Sequence, residues 1–495
     1  MSEARERLGE LARELPGLDL RDDDETRERY ARDCSPFRRR PLAVLAASDA
    51  DEVAAAVGAA RAAGIPVTAR AGGSSVAGQC LGTGLVLDVC GLRGTEWADD
   101  GSVWCAAGEA LDGLNGVLAE RGRTIGPDAI SGRWARVGGL VATNACGARS
   151  LLYGRFGDAL LEAEVVLADG SRASLGAGTV PDSLGTGLER ALDGLPEALR
   201  EWPRQPRTPG GYRLPELAER RDALSLVPGS EGTLCVLTRA RLATAQLAER
   251  RSLTLAGYSS LRAALDAAPE LAAGGASAVE VIDARLLEAA RGEGLDALAP
   301  GTGAALLVER LDEAAALPAG DAAGAQELVT LGEAEAKLAW ELRGRSVELA
   351  LRGSAPGLIA PACFEDPAVP PQRAGPFCDA LLELLAQFGL DAVVYGHAAA
   401  GCLHVRPLCD PSDPRLADRL LDATEAVCDL AGEWGGTLTG EHGWGLSRSH
   451  LAPRALGPDL YARCEAVKRA FDPDGVLNPG MIVGAHNPRA LVDPA

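Results

Sequence analysis

The most constraining feature of this 495-residue sequence is a change in the pattern of predicted secondary structure near residue 245. Before that point, short strand-like and helix-like runs alternate, and glycine-rich turns separate them. After it, long alanine- and leucine-rich helical stretches dominate, with only a few strand-like runs between them. A chain of this length also exceeds what one hydrophobic core usually serves. The sequence therefore predicts an α+β protein of two or three domains.

We expect the chain to divide into a lead-in, two domains, a C-terminal segment and a tail. In the first domain, Asp49 and Glu52 form a capping-box pattern before a helix over 53–63, and Gly64 ends that helix. Strand patterns follow at 65–68, 85–89, 163–167 and 234–237. The expected boundaries are a polar lead-in at 1–37, a first domain at 38–245, a second α+β domain at 246–430, a helical segment at 431–485 and a tail at 486–495.

Charge and cysteine usage exclude several classes of protein. The net charge of −21 argues against nucleic acid or an anionic membrane as a partner. None of the 12 cysteines forms a Cys-x-x-Cys pair, so the spacing predicts neither an iron–sulfur cluster nor a thiolate zinc ribbon. No apolar run is long enough for a transmembrane helix, and the N-terminus lacks a signal-peptide core. We expect a cytoplasmic protein with reduced thiols.

Three glycine-rich segments are candidates for close contact with a ligand. The first is Arg70–Gln79, which lies between two strand patterns and contains Gly72, Gly73, Ser74 and Ser75. Glycine there lets backbone N–H groups approach an anion, although a tight turn alone explains the same pattern. The others are 126–147, which is rich in small residues, and 229–234, for which a structural role is the default.

The histidines carry the strongest chemical signal. Of five in the chain, three fall in two glycine-bounded motifs that contain His397, His404, Glu441 and His442. Imidazole and carboxylate together suit Zn²⁺ or Mn²⁺, and two histidines with one glutamate leave coordination positions open for a substrate. His442 follows Glu441 directly and is a candidate base. A lone histidine is usually structural, but this pairing favours a metal or catalytic site.

An arginine on an apparent helix is a further candidate. Arg343 ends the run Trp340-Glu341-Leu342-Arg343, and a guanidinium can hold a carboxylate with two hydrogen bonds. A solvated arginine on a helix face is the alternative interpretation of the same pattern.

Taken in this order, the motifs resemble the FAD-linked oxidase family, whose flavin domain is of the vanillyl-alcohol oxidase type. Within it, the sequence is most similar to the D-lactate, glycolate and D-2-hydroxyglutarate dehydrogenase branch, and in particular to the flavoprotein half of bacterial FAD/iron–sulfur D-2-hydroxyglutarate dehydrogenases. The resemblance runs from about residue 30 to 483 and is most specific at 395–407, 440–445 and 477–480. It implies a two-lobed FAD-binding domain, an α+β cap domain over the substrate, and a C-terminal helical segment that returns to the FAD.

The resemblance also implies roles for individual residues. His397, His404 and Glu441 would hold Zn or Mn, His442 would be the base, and Arg343 would bind the substrate carboxylate. FAD should be non-covalent because the first loop contains no histidine. A separate hypothesis from the run His404-Val405-Arg406-Pro407 is that Arg406 meets a second carboxylate of the substrate. The implied FAD-binding residues are Gly72, Gly73, Ser74, Ser75, Gly78, Gln79, Pro127, Asp128, Ser131, Gly138, Gly139, Asn144, Gly147, Glu231, Gly232 and Asn478.

The implied activity is oxidation of a D-2-hydroxy acid, of the D-2-hydroxyglutarate or D-lactate class, to the 2-oxo acid by hydride transfer to flavin N5. The alternatives are a glycolate oxidase-type subunit, or a flavoenzyme of the same fold with another substrate, such as an alkyl-dihydroxyacetonephosphate synthase. A metal hydrolase would leave the glycine-rich segments unexplained. We expect electrons to leave through a separate acceptor, which is an iron–sulfur protein, a quinone or another oxidant. A homodimer stays open.

Four positions depart from the family pattern. Ala71 replaces a usual glycine and Ser74 a usual threonine, and both changes are mild. Arg136 stands where the family usually has threonine, next to the Gly138-Gly139 pair, so a flavin contact is expected to change. Trp444, two residues after the proposed base, is expected to reshape the substrate pocket.

Overall fold

The computed structural model describes residues 2–203, 207, 210–311 and 323–493. The predicted linker at 317–320 lies outside these residues, whereas the predicted linkers at 299–303 and 353–361 are turn-rich as expected. None of the helices formed by the described residues combines the length and the apolar character that a bilayer crossing requires.

Strands and helices alternate along the described chain. The strands are β1 (Leu20–Arg21), β2 (Ala43–Ala46), β3 (Val67–Arg70), β4 (Leu85–Asp88), β5 (Thr95–Trp97), β6 (Val103–Ala106), β7 (Arg123–Thr124), β8 (Leu160–Val166), β9 (Arg172–Gly176), β10 (Val236–Leu242), β11 (Ala245–Gln246), β12 (Arg251–Tyr258), β13 (Ala278–Asp283), β14 (Ala304–Leu311), β15 (Glu327–Thr330), β16 (Asp391–His397) and β17 (Cys402–Leu408). The α-helices are α1 (Ser2–Glu14), α2 (Asp24–Arg29), α3 (Ala50–Ala62), α4 (Leu111–Ala119), α5 (Val137–Ala142), α6 (Ser150–Tyr153), α7 (Phe156–Ala159), α8 (Asp182–Leu192), α9 (Leu195–Ala198), α10 (Leu214–Arg220), α11 (Leu261–Ala273), α12 (Ala284–Gly292), α13 (Glu333–Gly344), α14 (Ser346–Arg352), α15 (Ala374–Gln387), α16 (Leu416–Glu433), α17 (Gly445–Arg448) and α18 (Ala452–Phe471).

The first lobe is built on a sheet in the order β1-β2-β4-β3, in which β2, β4 and β3 are parallel. Helix α3 makes the crossover from β2 to β3, and Asp49 caps it by accepting the N–H groups of Asp51 and Glu52, each at 2.9 Å. Glu52 accepts the N–H of Ser48, the residue before the cap, at 2.7 Å. The Asp49 half of the predicted capping box therefore forms, and the Glu52 half is shifted by one residue.

The polar lead-in is not separate from this lobe. Strand β1 pairs with β2 antiparallel, and Leu11 and Leu15 of the N-terminal region are buried in the same hydrophobic cluster as Val57 and Leu87. The predicted lead-in at 1–37 therefore packs onto the first lobe. Leu11 lies on α1 and Leu15 directly follows it. Because they are four residues apart, they share one apolar face, which packs onto the lobe.

The second lobe is an antiparallel sheet in the order β5-β6-β10-β8-β9. Helices α4, α8 and α18 pack around it, and their leucines share one core with the sheet. Residues Leu111, Leu114 and Leu118 are buried on one face of α4, as their spacing predicts.

The cap is a six-stranded antiparallel sheet in the order β15-β12-β14-β13-β16-β17. Helices α11, α15 and α16 contribute to the core on one face, and α12, α13 and α14 contribute to the core on the other. Because side chains alternate along a strand, each strand feeds both cores: Leu255 lies in one and Ala256 in the other.

The C-terminal segment returns to the first domain after leaving the cap. Helix α18 packs on α8, and Leu477 forms a parallel bridge with Val67 of β3. The loop at 440–445 lies between the cap and α18. Its backbone forms hydrogen bonds with Asp366, Glu231 and Gln79, so it contacts the cap and both lobes. This connection places the segment between 431 and 485 beside the cavity described next.

Candidate active site

A cavity of about 420 Å³ is lined by residues from both lobes and from the cap. Its size is in the range of pockets that hold small molecules and parts of cofactors. Eleven of the predicted FAD-binding residues lie in its wall: Gly72, Gly73, Ser74, Ser75, Gln79, Ser131, Gly138, Gly139, Gly147, Glu231 and Gly232.

The loop at 70–79, here called the glycine loop, is shaped by its own serine. Ser75 Oγ accepts the N–H groups of Ala77 at 3.2 Å and Gly78 at 3.0 Å, so the turn is formed by internal hydrogen bonds. Gly72 is needed for packing, because a Cβ there would lie 2.2 Å from the carbonyl oxygen of Trp134. The second small-residue segment therefore lies directly against the first.

Five of the predicted FAD-binding residues lie outside the cavity wall: Gly78, Pro127, Asp128, Asn144 and Asn478. Their polar groups have protein partners. Asp128 contacts Arg149 at 2.9 Å, and Asn144 Oδ1 accepts the N–H of Gly157 at 2.9 Å. Asn478 Nδ2 donates to the carbonyls of Gln79 and Glu231 at 2.9 and 2.7 Å. These side chains hold the loops around the cavity together, and their contact with FAD stays a prediction.

The two motif histidines come from one hairpin of the cap sheet. In the β16–β17 register, Tyr395 pairs with His404 and His397 pairs with Cys402. Residues 395 and 397 face the same side, so His397 and His404 are diagonal neighbours on one face, with ring centroids 5.1 Å apart. The hairpin turn at Gly401, which has a φ of 67°, makes this pairing possible.

Glu441 and His442 are presented by a tightly held turn. Asp366 accepts the N–H groups of both residues at 2.8 Å, and Glu231 accepts those of Trp444 and Gly445 at 2.7 and 2.8 Å. Gly443 has a φ of 74°, and a Cβ there would lie 2.4 Å from Glu231 Oε1. The sequence Gly-Glu-His-Gly is therefore required by backbone geometry as well as by chemistry.

The Nε2 atoms of both hairpin histidines point at Glu441. His397 Nε2 is 3.1 Å from Glu441 Oε2, and His404 Nε2 is 3.1 Å from Oε1. The potential ligand atoms of His397, His404 and Glu441 all lie within 4.8 Å of one another. Two imidazole nitrogens and a carboxylate that converge in a buried site are a donor set that suits Zn²⁺ or Mn²⁺, so the residues fit the metal that the resemblance implies.

A second carboxylate orients His397. Glu280 lies opposite His397 in the β13–β16 register, and its Oε1 is 2.7 Å from His397 Nδ1. Arg343 donates to Glu280 Oε2 from Nε at 3.0 Å and from Nη2 at 2.6 Å, and its guanidinium lies 4.8 Å from the Tyr395 ring. Burial opposes ionisation of Glu280, but His397 and Arg343 outweigh it and lower its pKa to about 2. This is the outer carboxylate that metal-binding histidines commonly have.

His442 has its own carboxylate partner. Its Nδ1 lies 2.9 Å from Glu365 Oε1 and its Nε2 lies 3.4 Å from Glu441 Oε1, while its ring stacks on that of His404 at 5.3 Å. Burial alone would lower the pKa of His442, but Glu365 and Asp366 outweigh it and raise the pKa to about 9. Arg406 forms an ion pair with the same Glu365, so the predicted substrate arginine already has an acidic neighbour.

Three charged residues beside Glu441 and His442 were not predicted from the sequence: Arg207, Glu365 and Asp366. Arg207 is buried, lies 2.9 Å from Glu441 Oε2, and contacts the Cys146 thiol. Burial raises the pKa of Glu441, but His397 and Arg207 outweigh it and hold the pKa well below the usual value. Glu365 and Asp366 had a signal, because an acidic pair inside the apolar run 359–371 needs partners. Arg207 had none, since the chain is rich in arginine.

Trp444 does not shape the cavity, which corrects the expectation from the sequence. Its side chain is fully buried, it belongs to the core of the second lobe, and its indole N–H donates to Gly210 O at 2.7 Å. The backbone on both sides of it is fixed by Glu231, so the ring points away from the cavity.

The fold and the site together define a class. A two-lobed domain encloses a glycine-lined cavity and a separate α+β cap closes it, which is the architecture of flavoproteins of the vanillyl-alcohol oxidase type. In this chain, the cap side of the cavity also carries the buried His/His/Glu cluster. Two solved structures share this fold: 4-ethylphenol oxidase from Gulosibacter chungangensis, with a TM-score of 0.68, 17% identity and 97% of both chains covered, and alkyldihydroxyacetonephosphate synthase, with a TM-score of 0.61, 14% identity and 96% of this chain and 84% of that chain covered.

Family models identify the two parts of the chain separately. The model described as FAD binding domain matches residues 41–176, and the model described as FAD linked oxidases, C-terminal domain matches residues 247–482. The chain belongs to the FAD-linked oxidases, a family of FAD-dependent oxidoreductases, and the predicted fold class is confirmed. The FAD-binding domain also supports FAD as the cofactor.

Curated relatives include dehydrogenases of hydroxy acids. A D-2-hydroxyglutarate dehydrogenase from Escherichia coli (strain K12) is 31% identical over an alignment of 464 positions, gaps included, that covers 84% of this chain and 45% of that protein. One from Pseudomonas putida is 32% identical over an alignment of 503 positions that covers 92% of this chain and 50% of that protein. A D-lactate dehydrogenase from Archaeoglobus fulgidus is 27% identical over 486 residues, with 96% and 98% covered. The chain thus spans about half the length of the first two relatives.

Proposed function

We propose that the chain oxidises a small D-2-hydroxy acid to the 2-oxo acid, with FAD as the hydride acceptor and Zn or Mn held by His397, His404 and Glu441. The observation that carries this proposal is that these three residues and His442 line the same cavity as the glycine-rich segments of the FAD-binding domain. A protein kept only for assembly would not need all four of these groups there.

His442 is proposed to take the proton of the substrate hydroxyl. Its Nδ1 faces Glu365, which leaves Nε2, the nitrogen nearer Glu441, to accept that proton. The backbone hydrogen bond to Asp366 and the stack on His404 fix the ring in place. When bound, FAD supplies an acceptor for the C2 hydride, and the divalent cation lowers the pKa of the hydroxyl and opposes a positive charge on His442.

Arg343 is proposed to bind the substrate carboxylate. Its Nε and Nη2 donate to Glu280, so Nη1 is the nitrogen left for a substrate at the cavity wall. Its stack on Tyr395 fixes the plane of the guanidinium. A fixed carboxylate would determine which face of C2 is presented for oxidation.

The size of the acid depends on what Arg406 binds. The substrate class includes D-2-hydroxyglutarate, for which Arg406 would bind the second carboxylate. The ion pair between Arg406 and Glu365 favours a second candidate, a monocarboxylate such as D-lactate or glycolate, because the arginine charge is already neutralised. Relatives named D-lactate dehydrogenase and glycolate oxidase subunit GlcD fit this candidate.

The test is anaerobic mixing of purified protein with D-2-hydroxyglutarate, D-lactate, glycolate and their L-forms where these exist, followed at the long-wavelength flavin band. Rapid bleaching by one D-acid that is lost with chelator and regained with Zn²⁺ or Mn²⁺ supports the proposal. His450→Ala, a histidine outside the cavity, is the matched control for His442→Ala. Bound flavin that no acid bleaches, with or without metal, contradicts the proposal.

The electrons are proposed to pass from the flavin to a separate acceptor, which is an iron–sulfur protein, a quinone or another oxidant. The described residues contain one cluster suited to a metal ion, and it consists of the two histidines and the glutamate above. Reoxidation of the reduced flavin by a quinone analogue, compared with oxygen, distinguishes these acceptors.

A further inference from the structure

We propose that Arg136 binds the diphosphate of FAD through its guanidinium group. The inference concerns how the cofactor is held, and it does not depend on which substrate the enzyme oxidises. It rests on the position of Arg136, on the state of its side chain and on the charge balance of the cavity.

Arg136 lies against the glycine loop. It directly precedes α5, its backbone is extended with φ −106° and ψ 150°, and it forms an isolated bridge with Ala110. A Cβ at Gly72 would lie 2.2 Å from Trp134 O and 3.4 Å from Ala135 Cα, so the residues before Arg136 touch that loop directly. The side chain of Arg136 starts next to the loop whose glycines and serines line the cavity.

The side chain of Arg136 is incompletely paired at the cavity wall. Arg136 lines the cavity, and its Nε is buried without a hydrogen-bond partner among the described residues. The guanidinium interacts with the Cys90 thiol, which donates to Ala71 O at 3.2 Å. A partly buried guanidinium without an acidic partner is stabilised when an anion binds beside it.

The ion pairs of the other cavity-lining arginines identify Arg136 as the position where an anion would bind. Three arginines line the cavity in the described chain: Arg136, Arg343 and Arg406. Arg343 is paired with Glu280 and Arg406 with Glu365, and both lie in the cap beside the histidines. Arg70 of the glycine loop donates to the carbonyls of Tyr30 and Arg32 instead. Arg136 is thus the cavity-lining arginine for which the described residues supply no ion pair.

The diphosphate is the part of FAD that matches this environment. It carries negative charge, and arginine recognises phosphate oxygens through planar, charge-assisted hydrogen bonds. Glycine at positions 72 and 73 lets the loop backbone approach the same group from the other side. The resembling family usually has threonine at this position, so the guanidinium is a feature of this chain.

The test measures binding of FAD to apoprotein by quenching of flavin fluorescence, at low and high NaCl. Arg136→Gln is expected to weaken FAD binding about 10-fold at low salt, the effect of one hydrogen bond to a charged group. The difference between variant and wild type should shrink at high salt, because the lost contact is ionic. Riboflavin, which has no phosphate, should bind both proteins equally.

Three further variants serve as controls. Arg133→Gln removes an exposed arginine of the same segment that stacks on Trp134, and it should leave FAD affinity unchanged. Arg136→Lys should keep most of the affinity. Arg136→Thr is the second neutral variant and replaces Arg136→Gln if glutamine prevents folding.

The proposal is overturned if the neutral variant binds FAD within twofold of wild type, or if riboflavin and FAD lose affinity equally. It is also overturned if Arg136→Lys loses as much affinity as the neutral variant. Flavin bleaching by a hydroxy acid is not measured here, so failure of this proposal and failure of the proposed reaction are distinguishable.

Discussion

Arg149 joins the first domain to the cap, and replacing it with methionine should destabilise the protein strongly. Its Nε and Nη2 contact the two carboxylate oxygens of Glu309 on β14 at 2.6 and 2.7 Å, and Nη1 contacts Asp128 at 2.9 Å. The side chain of Glu309 is only 2% exposed. Removing the arginine would leave that carboxylate buried without its counter-charge, which typically costs about 3–5 kcal/mol.

The loss of unfolding free energy expected for Arg149→Met is at the lower end of this range, about 3 kcal/mol. Ser277 Oγ donates to Glu309 Oε1 at 3.0 Å and would remain, so the carboxylate keeps one hydrogen bond. The stack of the guanidinium on Trp340, at 5.1 Å, would also be lost, although its contribution is smaller.

The assay is urea unfolding at saturating FAD, followed by circular dichroism and tryptophan fluorescence. Arg172→Met is the matched control, because Arg172 contacts Asp51 at a similar 2.7 Å while both side chains are more than half exposed. That pair should contribute less than about 1 kcal/mol. The double variant Arg149→Met/Glu309→Gln should recover part of the loss, since no buried charge remains.

If Arg149→Met lowers the free energy of unfolding no more than Arg172→Met does, the reasoning is refuted. That reasoning states that burial, and not distance, determines how much these ion pairs stabilise the protein. A double variant as unstable as the sum of the two single variants would show that Glu309 is not the group left uncompensated.

Four other variants test the site and the stability of the fold. His442→Ala should retain FAD and metal but slow flavin reduction by at least ~10²-fold, and loss of metal from this variant would make His442 a ligand instead. Glu280→Gln should weaken metal binding about 10- to 100-fold in a chelator competition, because Glu280 orients His397; unchanged affinity would contradict that role. Arg406→Ala should slow oxidation of D-lactate and D-2-hydroxyglutarate by similar factors if its partner is Glu365, whereas a selective loss for the dicarboxylate would indicate direct binding. Burial and Arg489 lower the pKa of His450 to about 4, below that of the unfolded chain, so stability should be lost as the pH falls from about 6.5 toward 4. Wild type should therefore lose about 1–2 kcal/mol more than His450→Gln between pH 7 and 4.5 in urea unfolding, a value discounted for partial exposure, and parallel losses would contradict this.

Local patterns in the sequence predict much of the first domain. The cap of α3 at Asp49, its end at Gly64 and the apolar face of α4 all follow from contacts within a few residues. The same is true of Arg343, which lies on α13 as expected. Such features depend on backbone hydrogen bonds and periodicity, which a single sequence carries directly.

Contacts between distant strands could not be predicted in this way. Glu280 is 117 residues from His397 in sequence, yet it lies opposite it because β13 and β16 pair in the cap sheet. Nothing local marks a glutamate in the apolar strand Ala278–Asp283 as a partner for a histidine. The error at Trp444 has the same origin, since its direction is set by Glu231 from another part of the chain.

The buried charges around the cavity are coupled through shared carboxylates, so a single substitution changes the environment of two residues. Glu280 contacts both Arg343 and His397, and Glu365 contacts both Arg406 and His442. Removing Arg343 therefore alters the carboxylate that orients a proposed metal ligand, so a loss of activity would not by itself identify substrate binding. Comparing Arg343→Met with Arg343→Met/Glu280→Gln separates the two effects. If Arg343 binds substrate, the KM defect persists in the double variant, whereas a defect caused by an unbalanced Glu280 is relieved.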